Sequence, residues 1–236
     1  IVSNFVMLAP SCLRLLQTCD YVIYEHDHKY IVGRDPSPFE NYKVPANMLT
    51  NLEFYRNAKA VFAQSKLHAE VISKNIREAN VINLGCSLWS DEELDILQKY
   101  VDSEKNGKMA VLNSANKIKG TAQAKSFCEK NGIEYNPIVS LDYDNFINQL
   151  SQHDGLVFYS KVLETFCRLA VEARIVNCKL RTNNNLGCAS EEWFPKYKGQ
   201  ELLDFVRSQK TEVINKVTEV LESEKTKEFT TAPITV

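Results

Sequence analysis

The chain has no excess of charge of either sign. Its 28 lysines and arginines stand against 30 acids in 236 residues, a formal net charge of −2, with the basic residues scattered among the acids. That balance leaves no electrostatic basis for gripping nucleic acid or an anionic membrane surface. No apolar run approaches the roughly 18 residues a spanning helix needs, and no basic leader precedes the first apolar run. A cytoplasmic protein without a transmembrane segment is expected. There is no CxxC pair, and the seven cysteines are an odd number. Cys12, Cys19, Cys86, Cys128, Cys167, Cys178 and Cys188 mostly lie in apolar runs, as reduced buried thiols do, which argues against a disulfide framework or a zinc site. Internal repeats and low-complexity segments are also absent.

What is present is a long alternation. With 44% apolar residues the chain can bury one large core or two small ones. Apolar runs alternate with amphipathic stretches almost from end to end, the pattern of a parallel sheet wrapped by helices. Strands are expected at Phe5 to Leu8, Asp20 to Glu25, Ala60 to Gln64, Val81 to Leu84, Met109 to Asn113, Tyr135 to Val139, Gly155 to Tyr159 and Lys179 to Thr182. Helices are expected to start near Ser11, Pro45, Lys66, Asp91, Gly120, Tyr143, Glu164 and Gln200. Ser90-Asp91-Glu92-Glu93 pairs a capping serine with first-turn acids, and the helix it opens, running to about Lys105, reads as the hinge between two α/β halves. These halves are 1–100 and 101–236. The last helix, Glu201 to Glu224, places Leu202, Phe205, Val206, Val213, Val217 and Val220 on one broad face, and the tail from Lys225 has no periodicity.

The most informative run is Glu164-Thr165-Phe166-Cys167-Arg168-Leu169-Ala170-Val171-Glu172, directly after the apolar strand Gly155 to Ser160. A buried strand, a tight connection and a helix opening at a carboxylate make the junction where open α/β sheets bind nucleotides. On one helix the two glutamates would lie about 12 Å apart along the axis. Glutamates are common in helices, so the spacing alone is also compatible with chance. Phe166, Leu169, Ala170 and Ala173 follow a core-facing stripe, and the amides behind Thr165 sit where a helix dipole holds a diphosphate.

These residues resemble the E-x7-E segment of retaining glycosyltransferases of the GT-B, family 4 type (glycosyl transferases group 1), which commonly reads close to E-T-F-G-R-x-x-x-E-A. Cys178-Lys-Leu-Arg-Thr-Asn-Asn-Asn-Leu-Gly187 is similar to the next strand and loop of that family, and Met109 to Gly120 to the first strand of its donor domain with its phosphate-binding Lys-Gly. The resemblance covers roughly 105–200, and 20–90 more loosely. Three departures stand out. Asn113 and Ser114 occupy the positions of the family's arginine, Cys167 replaces the usual glycine, and the Gly-rich loop of the acceptor domain is missing.

The resemblance implies an α/β, GT-B-like fold of two Rossmann-like, doubly wound parallel-sheet domains facing a cleft, the first (1–100) a shortened acceptor-side domain and the second (101–236) the donor domain. It implies transfer of a sugar from a nucleotide-diphosphate sugar to a hydroxyl acceptor (glycan, lipid-linked or small molecule) with retained configuration and without a metal or other cofactor. In the donor set, Lys119 and Gly120, with Ser114 nearby and the amides near Phe166 and Cys167, would hold the diphosphate. Glu172 would accept from the ribose, Glu164 would contact the sugar, and Asn184, Asn185 and Gly187 would line the far wall. His26 would order the sugar or acceptor from the opposite domain, with His28, Ser65 and Lys66 on the acceptor side.

Other candidates have plainer readings beside the chemical ones. Glu25-His26-Asp27-His28 follows a strand; on a continuing strand both imidazoles would face one side, as a metal pair or as a solvated loop, but no third ligand is visible at a sensible spacing. Ser65 is suited to capping the helix from Lys66. Asp142-Tyr143-Asp144 has the D-x-D form of metal-dependent transferases, yet acids at a helix start need no ligand to explain them. Two readings from other classes compete with catalysis: a non-catalytic GT-B-like binding or partner subunit, and a two-domain binding protein of the periplasmic type.

Overall fold

The computed structural model describes residues 1–139 and 142–223. Glu224 and the tail from Lys225 lie outside the described residues. Two parallel sheets organise the chain. In the first, β1 (Ile23–Tyr24), β2 (Val61–Ala63) and β3 (Val81–Asn83) stand in that order, with Ile23 opposite Val61 and Val61 opposite Val81. In the second, β4 (Met109–Leu112), β5 (Tyr135–Ile138), β6 (Gly155–Phe158) and β7 (Lys179–Thr182) are arranged β5-β4-β6-β7. Pro137 is tolerated because β5 is an edge strand, where a missing N–H costs no ladder bond.

The helices are α1 (Pro10–Leu16), α2 (Leu52–Arg56), α3 (Lys66–Asn75), α4 (Asp91–Tyr100), α5 (Thr121–Lys130), α6 (Tyr143–Ser151), α7 (Arg168–Ile175) and α8 (Gly199–Glu222). Successive strand residues face opposite sides, so each sheet carries two cores. Ala110, Leu156 and Phe158 pack with α4, α6, α7 and α8, while Val111 and Val157 pack with Ala124 and Cys128 of α5. In the first sheet Ile23, Val61 and Ala63 face Ile72 of α3 and the aromatic group Phe5, Tyr30, Phe54 and Tyr55. Its other face, Val22, Ala60, Phe62 and Leu84, is closed by Val213 and Val217 of α8. The last helix therefore starts against the second sheet and ends beneath the first. Lys59 fixes that end by donating to Leu221 O and Ser223 O. The result is an α/β arrangement of two parallel sheets with packed layers on both faces, the two-sheet layout that the resemblance implies.

Several expected elements differ. Phe5 to Leu8 is not a strand: Leu8 N–H bonds back to Phe5 O in a turn, Phe5 is buried and Met7 is 91% exposed. Only Val2 bridges to Ile23. The helix expected from Pro45 is a 3-10 turn, Ala46–Met48, followed by the short α2. The helix opened by the Ser90 capping box ends at Tyr100 rather than Lys105, and its Leu94 and Leu97 belong to the core of the second sheet. The helix expected to open at Glu164 starts at Arg168. Among the described residues no helix is long and apolar enough to cross a membrane.

Candidate functional site

In the second sheet the chain runs from β4 outward to β5, then returns to place β6 on the other side of β4. That reversal opens a crevice beyond the carboxyl ends of β4 and β6. A cavity of about 780 Å³ lies there, lined by Asn113, Ser114 and Lys119 after β4, by 164–169 after β6, and by Tyr24, His26 and Gln64 from the first half. Apolar groups, among them Leu112, Val139, Phe146 and Phe158, line part of it. The mixture of an apolar wall and a few convergent polar groups is that of a small-molecule site.

Lys119 and Glu164 form the charged centre of this wall, Nζ to Oε1 at 2.9 Å. Lys119 ends a 3-10 turn (Lys117–Lys119) capped by Asn116 at one end and Gly120 at the other. Gly120 has φ +66°, and a Cβ there would lie 1.7 Å from Tyr159 O, so glycine is required for the loop to close against β6. Glu164 is not on a helix. It bridges Leu186: its N–H donates to Asn185 O and its carbonyl accepts from Gly187 N–H, both at 2.9 Å. Ser160 Oγ donates to the same Oε1 at 3.2 Å. The carboxylate is thus fixed by an extended backbone on one side and a lysine on the other.

Asn185 and Gly187 consequently have a different position from the one expected. Neither they nor Asn184 lines the cavity. Asn185 bonds Ser160 O through its side chain, and a Cβ on Gly187 would meet Thr165 O at 2.2 Å. Asn184 is exposed. They shape the Glu164 segment from behind. Glu172 is also displaced from its expected place at a ribose. It is 5% exposed, and its Oε1 accepts from Trp89 Nε1 at 2.9 Å and from Tyr143 OH at 3.0 Å, with Arg168 Nε at 3.4 Å. Burial raises its pKa, opposed by the Arg168 charge and by these bonds. Because α7 starts at Arg168, Glu164 and Glu172 do not share one helix, and the two-turn spacing does not hold.

Phe166 and Cys167 do line the cavity. Cys167, the N-cap of α7, has φ +78°, which explains why glycine suits this position and which strains any residue with a Cβ. Burial pushes its thiol pKa well up, which disfavours the thiolate form. Thr165 joins the halves: Oγ1 donates to Gln64 Oε1 (3.0 Å) and to His26 O (3.2 Å), while its carbonyl accepts from Ser65 Oγ (2.7 Å).

The 25–28 run disperses. Glu25 is fully buried against Lys29 Nζ (2.7 Å) and the Tyr55 hydroxyl, Asp27 pairs with Arg34, and only His26 reaches the cavity. His26 Nε2 lies 2.7 Å from Ser3 Oγ, and burial, then the Lys29 charge, lowers its pKa. His28 turns into the core instead of to the acceptor side, with Nδ1 3.0 Å from Tyr30 OH and its ring edge-on to His68. The two imidazoles therefore do not form a chelating pair. Ser65 is fully buried and caps α3 through His68 N–H, and Lys66 donates its N–H to Glu191 Oε1 at 2.6 Å; neither lines the cavity. Asp142 caps α6 and Asp144 pairs with Lys99, the helix-start reading of D-x-D. Among the described residues no three His, Cys, Asp or Glu side chains converge as metal ligands.

Among the lining groups with no role assigned from sequence are the polar side chains of Tyr24, Gln64, Ser87 and Arg168. For Arg168 a signal existed. A cation in the first helical turn opposes the helix dipole and calls for a specific partner, but it becomes visible only once the helix start is placed at Arg168.

Fold and cavity together define an α/β protein of two parallel-sheet halves with a ligand-sized cleft at a topological switch point. No protein-family model matches the chain, and no curated protein matches it significantly. Among solved structures it is similar to Anabaena HepE in complex with UDP-glucose, at 14% identity and TM-score 0.43 over 92% of this chain and 76% of that one. HepE with UDP and glucose gives 14% identity and TM-score 0.44 over 89% and 72%, and HepE with UDP gives 14% and 0.40 over 89% and 73%.

Proposed function

We propose that the protein is a retaining glycosyltransferase that moves a sugar from a nucleotide-diphosphate sugar to a hydroxyl acceptor. The observation that carries this reading is the Lys119–Glu164 pair, 2.9 Å apart in the cleft wall where the loops after β4 and β6 meet. A donor set across that wall would place its diphosphate near Lys119 and the start of α7, the positive end of the helix dipole. As the glycosidic bond breaks, negative charge grows on the leaving diphosphate, and a preorganised ammonium and fixed dipoles lower its energy without a metal ion. Glu164, held by backbone and Ser160, faces the positive character that develops on the sugar. His26, which lines the cleft from the other half, would exchange a hydrogen bond with a hydroxyl of sugar or acceptor.

The test is incubation with UDP-, GDP- and ADP-sugars, reading nucleoside diphosphate release and the product's anomeric configuration by NMR. Turnover with retention is expected, undiminished by EDTA and reduced at least about a hundredfold in Lys119→Gln and Glu164→Gln. A panel in which no donor raises the melting temperature or is consumed would sink the reading. One observation favours the rival, a non-catalytic subunit on the same scaffold: Glu172 is buried among Trp89, Tyr143 and Arg168 instead of lining the cleft. In that case donors still shift the melting temperature, but none is turned over.

A further inference from the structure

The cleft is bordered by two cations, and only Lys119 enters the reading above. Arg168 is the other. It is the first residue of α7, whose N-cap Cys167 makes no side-chain capping bond, and its side chain is set by Glu93, Glu172 and the rings of Trp89 and Tyr143. Nη2 lies 2.6 Å from Glu93 Oε1, Nε lies 3.4 Å from Glu172 Oε1, and the guanidinium carbon sits 4.8 Å from the centre of the Trp89 ring. Glu172 is in turn held by Trp89 Nε1 and Tyr143 OH. A guanidinium has five N–H donors in a rigid plane, more than two carboxylates use at these contacts.

An arginine at this place is costly by itself: a cation in the first turn opposes the helix dipole. The structure offsets that cost with two carboxylates, an aromatic face and a buried hydrogen-bond network, all converging on one side chain at the edge of the cleft. On the loop after β4 the lining residues Asn113 and Ser114 are uncharged, and Lys119 supplies that loop's cation. We propose that Arg168 is a binding residue for the diphosphate of the ligand, sharing its charge with Lys119, and that Glu93, Glu172 and Trp89 are positioning residues that aim it. This rests on the nucleotide-sugar reading and deepens it, because it makes the cleft selective for the pyrophosphate over the nucleoside.

Isothermal titration with inorganic pyrophosphate, UDP and GDP, each nucleotide beside its parent nucleoside, tests the inference. The wild type is expected to bind diphosphates; Arg168→Gln should weaken them roughly tenfold to a hundredfold and leave nucleoside affinity unchanged. Arg168→Lys keeps a charge for Glu93 and Glu172, guards against loss of the fold, and should give an intermediate loss. Asn113→Arg in the Arg168→Gln background adds a cation elsewhere in the cleft lining and should recover part of the diphosphate affinity. Wild-type diphosphate affinity in both Arg168 variants overturns the inference and leaves the glycosyltransferase reading standing. Equal losses for nucleoside and diphosphate make Arg168 merely structural and also overturn it. A wild type that binds no diphosphate at all overturns both.

Discussion

Cys167 and His28 show how much a single side chain's surroundings decide. Cys167 holds φ +78° at the mouth of α7, a conformation that costs a residue with a Cβ about 1–2 kcal/mol. Cys167→Gly should remove that strain while losing a buried thiol, leaving the urea midpoint within about 1 kcal/mol of wild type; Cys167→Val, β-branched, should lose about 2 kcal/mol or more. His28 is buried without a charge partner that compensates, and burial lowers its pKa from 6.5 to about 4. The unfolded chain therefore binds the proton first, so this residue's contribution is fully present above pH 6.5 and is lost as pH falls toward 4. Between pH 6.5 and 5 the loss should be about 2 kcal/mol, read from urea midpoints, and His28→Phe should flatten that slope. Lys119, Glu164 and His26, read from sequence as following strands, line the cavity, as do Ser114, Phe166 and Cys167, which the family resemblance singled out. Glu172 was not, because Trp89 and Tyr143, which turn it inward, are 83 and 29 positions away.

At the scale of elements, the junction after β6 matters most. The sequence spacing implies a helix from Glu164, but the chain first runs extended beside 185–187 and only then turns into α7. A local propensity reading cannot see this, since the bridge is made by a segment that follows β7. Strands β2 to β7 were legible to within two residues at each end, β2, β3, β4 and β6 because each carries an apolar run, whereas Phe5 to Leu8 is apolar without a neighbour to pair with. The bridge can be broken from the far side. Gly187→Ala must push Thr165 O away from 2.2 Å, shifting the backbone that carries Glu164. It is expected to lower stability by about 2 kcal/mol or more, and to weaken donor-induced thermal stabilisation even though residue 187 does not line the cleft.

For the whole molecule, the question is what holds two three- and four-stranded sheets at a fixed cleft. Small parallel sheets must be covered on both faces to be stable. The first sheet cannot do this from its own half, because the face made by Val22, Ala60, Phe62 and Leu84 is closed by Val213 and Val217 from the far end of the chain. Glu191 and Ser190 add a second tie, accepting the N–H groups of Lys66 and Leu67 at the start of α3. The C-terminal helix is thus structural to the first half while belonging in sequence to the second, and a division at residue 100 separates the first sheet from its own cover. Two predictions separate this from a model of independently folding halves. Val213→Ala and Val217→Ala should each cost about 2 kcal/mol, and the double variant should lower the melting transition of the whole protein as one event. A fragment 1–100 should show no cooperative thermal transition by circular dichroism, whereas adding a peptide of 199–223 in trans should restore one. If 1–100 melts cooperatively alone, α8 is dispensable to the first half, and the cleft geometry must be kept by Thr165, Ser65 and Glu191 instead.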